Sequence, residues 1–247
     1  MTSTADPAAE PSTPQDPDPL FVLIHGGQQG AWVFDRLVRS LDERGYRALA
    51  LDMPAHDASA GAAEYAETIA TSLADVRGDV VLVGHSMGGL TIPLVPQLRP
   101  VRRLIFVCAA YPELGRSHFE VKLEEPGENV SSGPSAAWEQ PGDFHVLPRD
   151  AARELFFHDC APDLQDWALD RLRLQARRPL REKTPLISWP AVPHTLIIAI
   201  DDRCIPLDSA RRTARRLFDE EPLELPGGHC LSLSQPGLLA DALVAAI

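Results

Sequence analysis

The stretch VVLVGHSMGGL, Val80–Leu90, decides how the rest of the chain is read. An apolar run rich in valine ends at Gly84, Ser86 follows two positions on, and Gly88 and Gly89 come next. An unbroken apolar run of this length is what a strand buried on both faces shows. The pattern G-x-S-x-G at its end, opening a helical segment, has the form of a nucleophile elbow. The turn there is tight and strained, it projects one side chain above the sheet, and its neighbours must be small. Ser86 is that side chain, and Gly84, Gly88 and Gly89 are the small neighbours. Helix N–H groups starting at Met87 favour an anion nearby.

Outward from this motif the same rhythm repeats. Candidate strands are Leu20–Gly26, Tyr46–Met53, Asp79–His85, Arg102–Ala109, His194–Asp201 and Glu221–Gly227. Most are continuous apolar runs. Helical patterns alternate with them, at about Ala31–Arg44, Ala62–Val76, Met87–Leu98, Leu207–Phe218 and Pro236–Ala246. Such alternation predicts an α/β fold, a mainly parallel sheet of about six strands with helices on both faces.

The rhythm stops between Tyr111 and Pro193. First comes a polar, irregular segment, Ser117–Asp143, and then two helical patterns broken near Cys160–Pro162. A stretch this long inside a compact domain is usually functional. It is expected to be a mostly helical cap, 111–193, inserted into a core made of 20–110 and 194–247. Residues 1–19 are Pro-rich and acidic, without the basic and apolar regions of a signal peptide, and are expected to be a disordered tail. A cytoplasmic protein is the corresponding expectation.

Composition narrows the function. A net charge of −12 disfavours nucleic acid, and no apolar run approaches the roughly 20 residues of a membrane span. Cys108, Cys160, Cys204 and Cys230 show no metal-ligand spacing, so free thiols and no zinc are expected. The G-x-G-x-x-G dinucleotide fingerprint is absent after the first strand, and no cofactor is expected.

A serine hydroxyl needs a general base to act as a nucleophile at neutral pH. An elbow of this kind predicts the chain order serine, acid, histidine, with both partners at the ends of later strands. His229, after the Gly227–Gly228 pair that follows the last strand, fits the base. His56 and His194 lie near loops or strand starts, and His118, His145 and His158 lie in the insertion. His25 and His85 sit inside tight motifs, where His25 is expected to brace its loop. For the acid, Asp201 and Asp202 both end a strand. Asp202 is preferred because it stands four residues before Pro206, which should open the next helix. Glu113 is a third choice. Oxyanion donors are expected from the backbone N–H of Met87 and of Gly27, in the loop HGGQQGAW after the first strand.

With these residues in place, the sequence resembles the α/β-hydrolase superfamily, and within it the small capped esterases related to plant methyl-salicylate and methyl-jasmonate esterases and to hydroxynitrile lyases. The matching stretches are Phe21–Phe34, Leu82–Leu90, Leu155–Asp163, Asp201–Pro206 and Gly227–Pro236. The resemblance spans about 20–247. It implies Ser86 as nucleophile, Asp202 as orienting acid, His229 as base, and Gly27 and Met87 as oxyanion donors. Hydroxynitrile lyases of this type carry threonine just after the first-strand histidine and lysine just after the catalytic one. Here those positions are Gly26 and Cys230, which argues for hydrolysis. Haloalkane dehalogenases place an aspartate where Ser86 stands.

The expectation is therefore hydrolysis of a small, apolar or aromatic carboxylic ester through an acyl-enzyme. A lyase and a non-hydrolytic binding protein on the same fold are the alternatives. Trp32, Phe156, Phe157 and Trp167 are candidate pocket residues, with Trp138 and Leu172 beside them. Their other reading is a small core internal to the insertion. The expected partner is a small-molecule ester, without nucleic acid or membrane, and a homodimer is left open.

Overall fold

The computed structural model describes residues 18–124 and 142–247. Most of the expected tail and Trp138 therefore lie outside the described residues. The first half supplies β1 (Leu20–Ile24), α1 (Asp35–Asp42), β2 (Ala48–Leu51), α2 (Ala62–Ser72), β3 (Val80–His85) and β4 (Arg103–Val107). The chain then leaves the sheet for α3 (His118–Glu124), β5 (Phe144–His145), α4 (Arg149–Phe156), α5 (Pro162–Leu169), β6 (Gln175–Ala176) and α6 (Arg178–Arg181). It returns with β7 (His194–Ala199), α7 (Leu207–Phe218), β8 (Leu223–Leu225), α8 (Leu231–Ser234) and α9 (Pro236–Ala245).

The sheet order is β2-β1-β3-β4-β7-β8, and every pairing in it is parallel. Alternate residues of each strand feed opposite faces. Phe21, Leu23, Val81, Val83, Ile105 and Val107 enter one core with Leu37, Leu41 and Leu243. Val22, Ile24, Val80, Leu82, Leu104 and Phe106 enter the other, with Tyr65, Ile69 and Ile92. Burial on both faces is why these strands carry no polar alternation. A small antiparallel ladder pairs β5 with β6 outside this sheet.

Several elements differ from the sequence expectation. The helix expected over Met87–Leu98 is two 3-10 segments, Ser86–Leu90 and Ile92–Gln97. Pro93 and Pro96 lack the N–H that α-helical bonding needs, and the Gly88–Gly89 pair favours a helix poorly. The segment expected over Ala31–Arg44 opens as a 3-10 turn, Ala31–Phe34, before α1. The polar stretch expected to be irregular begins with α3, whose start is closed by Ser117 and Glu120 bonding each other's backbone N–H. The two helices expected around Cys160–Pro162 are α4 and α5. No helix among the described residues is long and apolar enough to cross a membrane.

Candidate active site

Ser86 stands on the first residue past β3 with φ of 51°, a left-handed conformation rare for any residue but glycine. Strain of this kind persists only where surrounding contacts enforce it. They do so here through close backbone approach. A Cβ on Gly88 would lie 2.6 Å from the carbonyl oxygen of Ile24, and one on Gly89 would lie 2.3 Å from that of Ala110. The glycines let the turn nest against the ends of β1 and β4.

The structure brings Ser86, His229 and Asp202 together from three loops. The Nε2 of His229 lies 3.0 Å from Oγ of Ser86. Its Nδ1 lies 2.9 Å from Oδ2 of Asp202. The other oxygen of Asp202 accepts the N–H groups of Cys204 at 2.7 Å and Ile205 at 2.9 Å. His229 and Asp202 are both buried, and three hydrogen bonds orient the Asp202 carboxylate. Asp201 does not join them. It is exposed, and its N–H donates to the carbonyl of Gly227. Glu113 is engaged in an ion pair with Arg216 at 2.7 Å.

The other histidines near the site are braces. His25 donates through Nδ1 to the carbonyl of Gly26 at 2.7 Å and accepts the N–H of Met53 at Nε2. Burial pushes its pKa down to about 4. His85 donates through Nε2 to the carbonyl of His229 at 2.9 Å, supporting that loop from behind. Burial, with the nearby His229, lowers its pKa to about 3, so both rings are neutral at pH 7.

Of the expected oxyanion donors, Met87 is the second residue of the 3-10 segment Ser86–Leu90. Gly27 lies beside it, since a Cβ there would sit 3.7 Å from the Met87 sulfur. That spacing is ordinary contact, so steric need for glycine does not fall on Gly27. It falls on Gly26, where a Cβ would lie 2.8 Å from Cβ of Ser86. A threonine at Gly26, the residue expected of a lyase, would require Ser86 to shift.

Among the pocket candidates, the Phe156 ring stacks on His229 with centroids 5.8 Å apart and planes 25° apart. Trp32 and Trp167 meet edge to face at 5.4 Å. Phe157 is a correction. It is fully buried against Phe156 in the core, and offers no surface to a ligand. Leu172 packs partly buried against the same core.

Some site residues had no motif to reveal them. Gln29 bridges the loop after β1 to its surroundings: its Oε1 accepts the N–H of Gly26, and its Nε2 donates to the sulfur of Cys230. Gln28, with φ of 64°, accepts the N–H of Leu147 at Oε1 and donates its own N–H to Oε1 of Gln175. Two adjacent glutamines in a glycine-rich loop are the one sequence signal available, since buried amides must find partners. Cys108 also lies here. Its sulfur and ligand atoms of Asp202 and His229 are all within 4.8 Å of one another. Burial, reinforced by Asp202, raises the thiol pKa well above its usual value. A cation there would have to displace both the thiol proton and the His229–Asp202 bond. All four cysteines are free.

A parallel sheet wound on both faces, with a serine elbow, a histidine and an aspartate on successive loops beyond the strand ends, defines the α/β-hydrolase fold. The family model described as the alpha/beta hydrolase family matches residues 21–242, and the chain belongs to that family. It is 29% identical to a pyrethroid hydrolase of Sphingobium wenxiniae over 243 residues, covering 90% of this chain and 85% of that protein. It is 25% identical to putative methylesterase 14 of Arabidopsis thaliana over 245 residues, covering 91% and 70%. The crystal structure of a pyrethroid hydrolase from Sphingobium faniae matches with a TM-score of 0.76 at 25% identity, covering 92% of this chain and 96% of that one.

Proposed function

We propose that this protein hydrolyses a small carboxylic ester with an apolar or aromatic part, through an acyl-enzyme on Ser86. The observation that carries this reading is the continuous run of hydrogen bonds from Ser86 through His229 to Asp202. His229 takes the Ser86 proton as the oxygen attacks the ester carbonyl, and Asp202 holds the Nδ1–H tautomer and stabilises the imidazolium. The N–H groups of Met87 and Gly27 receive the oxyanion. His229 then returns the proton to the leaving alcohol, and water attacks the acyl group with His229 again as base.

The names of the relatives, a pyrethroid hydrolase and a putative methylesterase, support the ester class. Phe156 over His229, with the Trp32–Trp167 pair, supports an apolar or aromatic substrate. In this reading the residues between β4 and β7 act as a cap that sets specificity. The substrate is a small molecule, and the net charge of −12 supports the absence of a nucleic-acid partner.

The test is labelling of the intact protein with a fluorophosphonate, followed by a panel of small esters. One adduct on Ser86, absent in Ser86→Ala and slowed in His229→Ala, is expected, along with release of an acid from an active ester. Folded wild-type protein that takes no label and cleaves no ester would sink the proposal. Release of an aldehyde or ketone would point to the lyase alternative.

A further inference from the structure

The loops carrying Asp202 and His229 leave different strands, and one main-chain bond, Asp201 N–H to the Gly227 carbonyl at 3.0 Å, joins them directly. A turn from the insertion seats on both. It lies between α4 and α5 and carries His158 and Asp159. The carboxylate of Asp159 accepts the N–H of Gly228, the residue before His229, at 2.6 Å. The Nε2–H of His158 donates to the carbonyl of Asp201, the residue before Asp202, at 3.0 Å.

The fit is close. A Cβ on Gly228 would lie 2.6 Å from Oδ1 of Asp159 and 2.7 Å from Nε2 of His158. The turn is itself held rigid. The side-chain amide of Gln165 donates to the carbonyls of Phe157 and Cys160, both at 3.0 Å, and Arg153 donates to the same Gln165. Oδ1 of Asp159 is buried without a hydrogen-bond partner. A desolvated carboxylate oxygen is costly, and such a cost is tolerated chiefly where position matters.

We propose that His158 and Asp159 are positioning residues of the reaction: together they clamp the acid loop and the base loop at the spacing that the His229–Asp202 bond requires. The inserted segment thereby completes the triad as well as covering it. This inference rests on Ser86 and His229 acting as proposed above.

The test compares wild type with Asp159→Ala, Asp159→Asn, His158→Ala and His158→Gln. Asparagine keeps the acceptor for Gly228, and glutamine keeps a donor for Asp201. The measurements are the fluorophosphonate labelling rate, kcat and KM on p-nitrophenyl acetate, melting temperature, and the downfield proton resonance of the His229–Asp202 bond. Asp159→Ala should lower labelling rate and kcat about tenfold to a hundredfold, the scale of a small misplacement of reacting groups, with KM nearly unchanged. It should also broaden or remove the downfield resonance. Asp159→Asn and His158→Gln should restore most of the loss. Alanine variants at wild-type rates with an intact resonance overturn the clamp, and so does equal loss in the alanine and conservative variants. The wild-type arm separates the two readings. An unlabelled wild type overturns the role of Ser86 and this inference with it, whereas a labelled wild type with unaffected variants overturns the clamp alone.

Discussion

At the scale of single residues, space and proton placement divide the work. Gly26 shows the first. Its missing side chain leaves 2.8 Å between a would-be Cβ and that of Ser86, so a methyl group there must push the serine off its line to His229. Gly26→Ala is expected to lower kcat on an active ester by about a hundredfold, while the fold, read by circular dichroism, persists. Asp202 shows the second. An amide in its place could still accept the N–H groups of Cys204 and Ile205, but would present the wrong partner to Nδ1 of His229. Asp202→Asn should therefore fold normally and lose about 10⁴-fold in kcat, the size of loss that a wrong imidazole tautomer brings. A variant retaining near wild-type kcat would show that Asp202 does not fix the tautomer.

At the scale of elements, the loop after β1 is held from outside. Arg173, in the segment between α5 and β6, donates through Nε to the carbonyl of Gln29 at 2.7 Å and pairs through Nη2 with Asp52. Asp52 in turn accepts the N–H of Ala31 at 3.0 Å. One planar guanidinium thus ties the loop of Gly27 to the end of β2. The pair with Asp52 is partly exposed and adds little stability by itself, so the effect should fall on geometry. Arg173→Lys, which keeps the charge but loses the fork, is expected to reduce kcat about tenfold with a small change in melting temperature. Equal kcat in the two proteins would remove Arg173 from the account. The elbow helix makes a related point. Pro93 and Pro96 lie in the second of its two 3-10 segments, yet the site needs only the first, where Met87 lies.

At the scale of the whole molecule, two buried histidines link the site to the stability of the fold. Burial lowers His25 from the ordinary 6.5 to about 4, and His85 from 6.5 to about 3. Both are neutral in the folded state at pH 7, and the unfolded chain binds their protons first as pH falls. Stability is then lost as pH drops below about 6.5, down to the folded values, by about 1.4 kcal/mol per pH unit for each histidine. The urea midpoint should fall from pH 7 to pH 5, and His85→Gln, which keeps a donor for the His229 carbonyl, should flatten that slope. An unchanged slope would mean that His85 does not titrate with unfolding.

Much of this was legible in the chain itself. The valine-rich run before Gly84 and its counterparts could be strands because no polar alternation interrupts them. Pro206 and Pro236 marked helix starts that the structure places one residue after and at those prolines. The order of Ser86, Asp202 and His229 followed from the elbow and the strand ends. These are local signals, written in periodicity and in residues with special backbone geometry. Other features depend on which distant segments meet. Asp201 and Asp202 look alike in sequence, and only the packing of the loop after β8 against that after β7 puts one beside His229 and leaves the other exposed. Phe156 and Phe157 are equal candidates as neighbours at one helix end, and both enter the core, but it is the Phe156 ring that stacks on His229. The contacts of Gln28 with Leu147 and Gln175, and of Asp159 with Gly228, join residues far apart in the chain. No local pattern encodes such pairs, because their energy comes from hydrogen bonds that exist only once the sheet and the insertion have closed on each other.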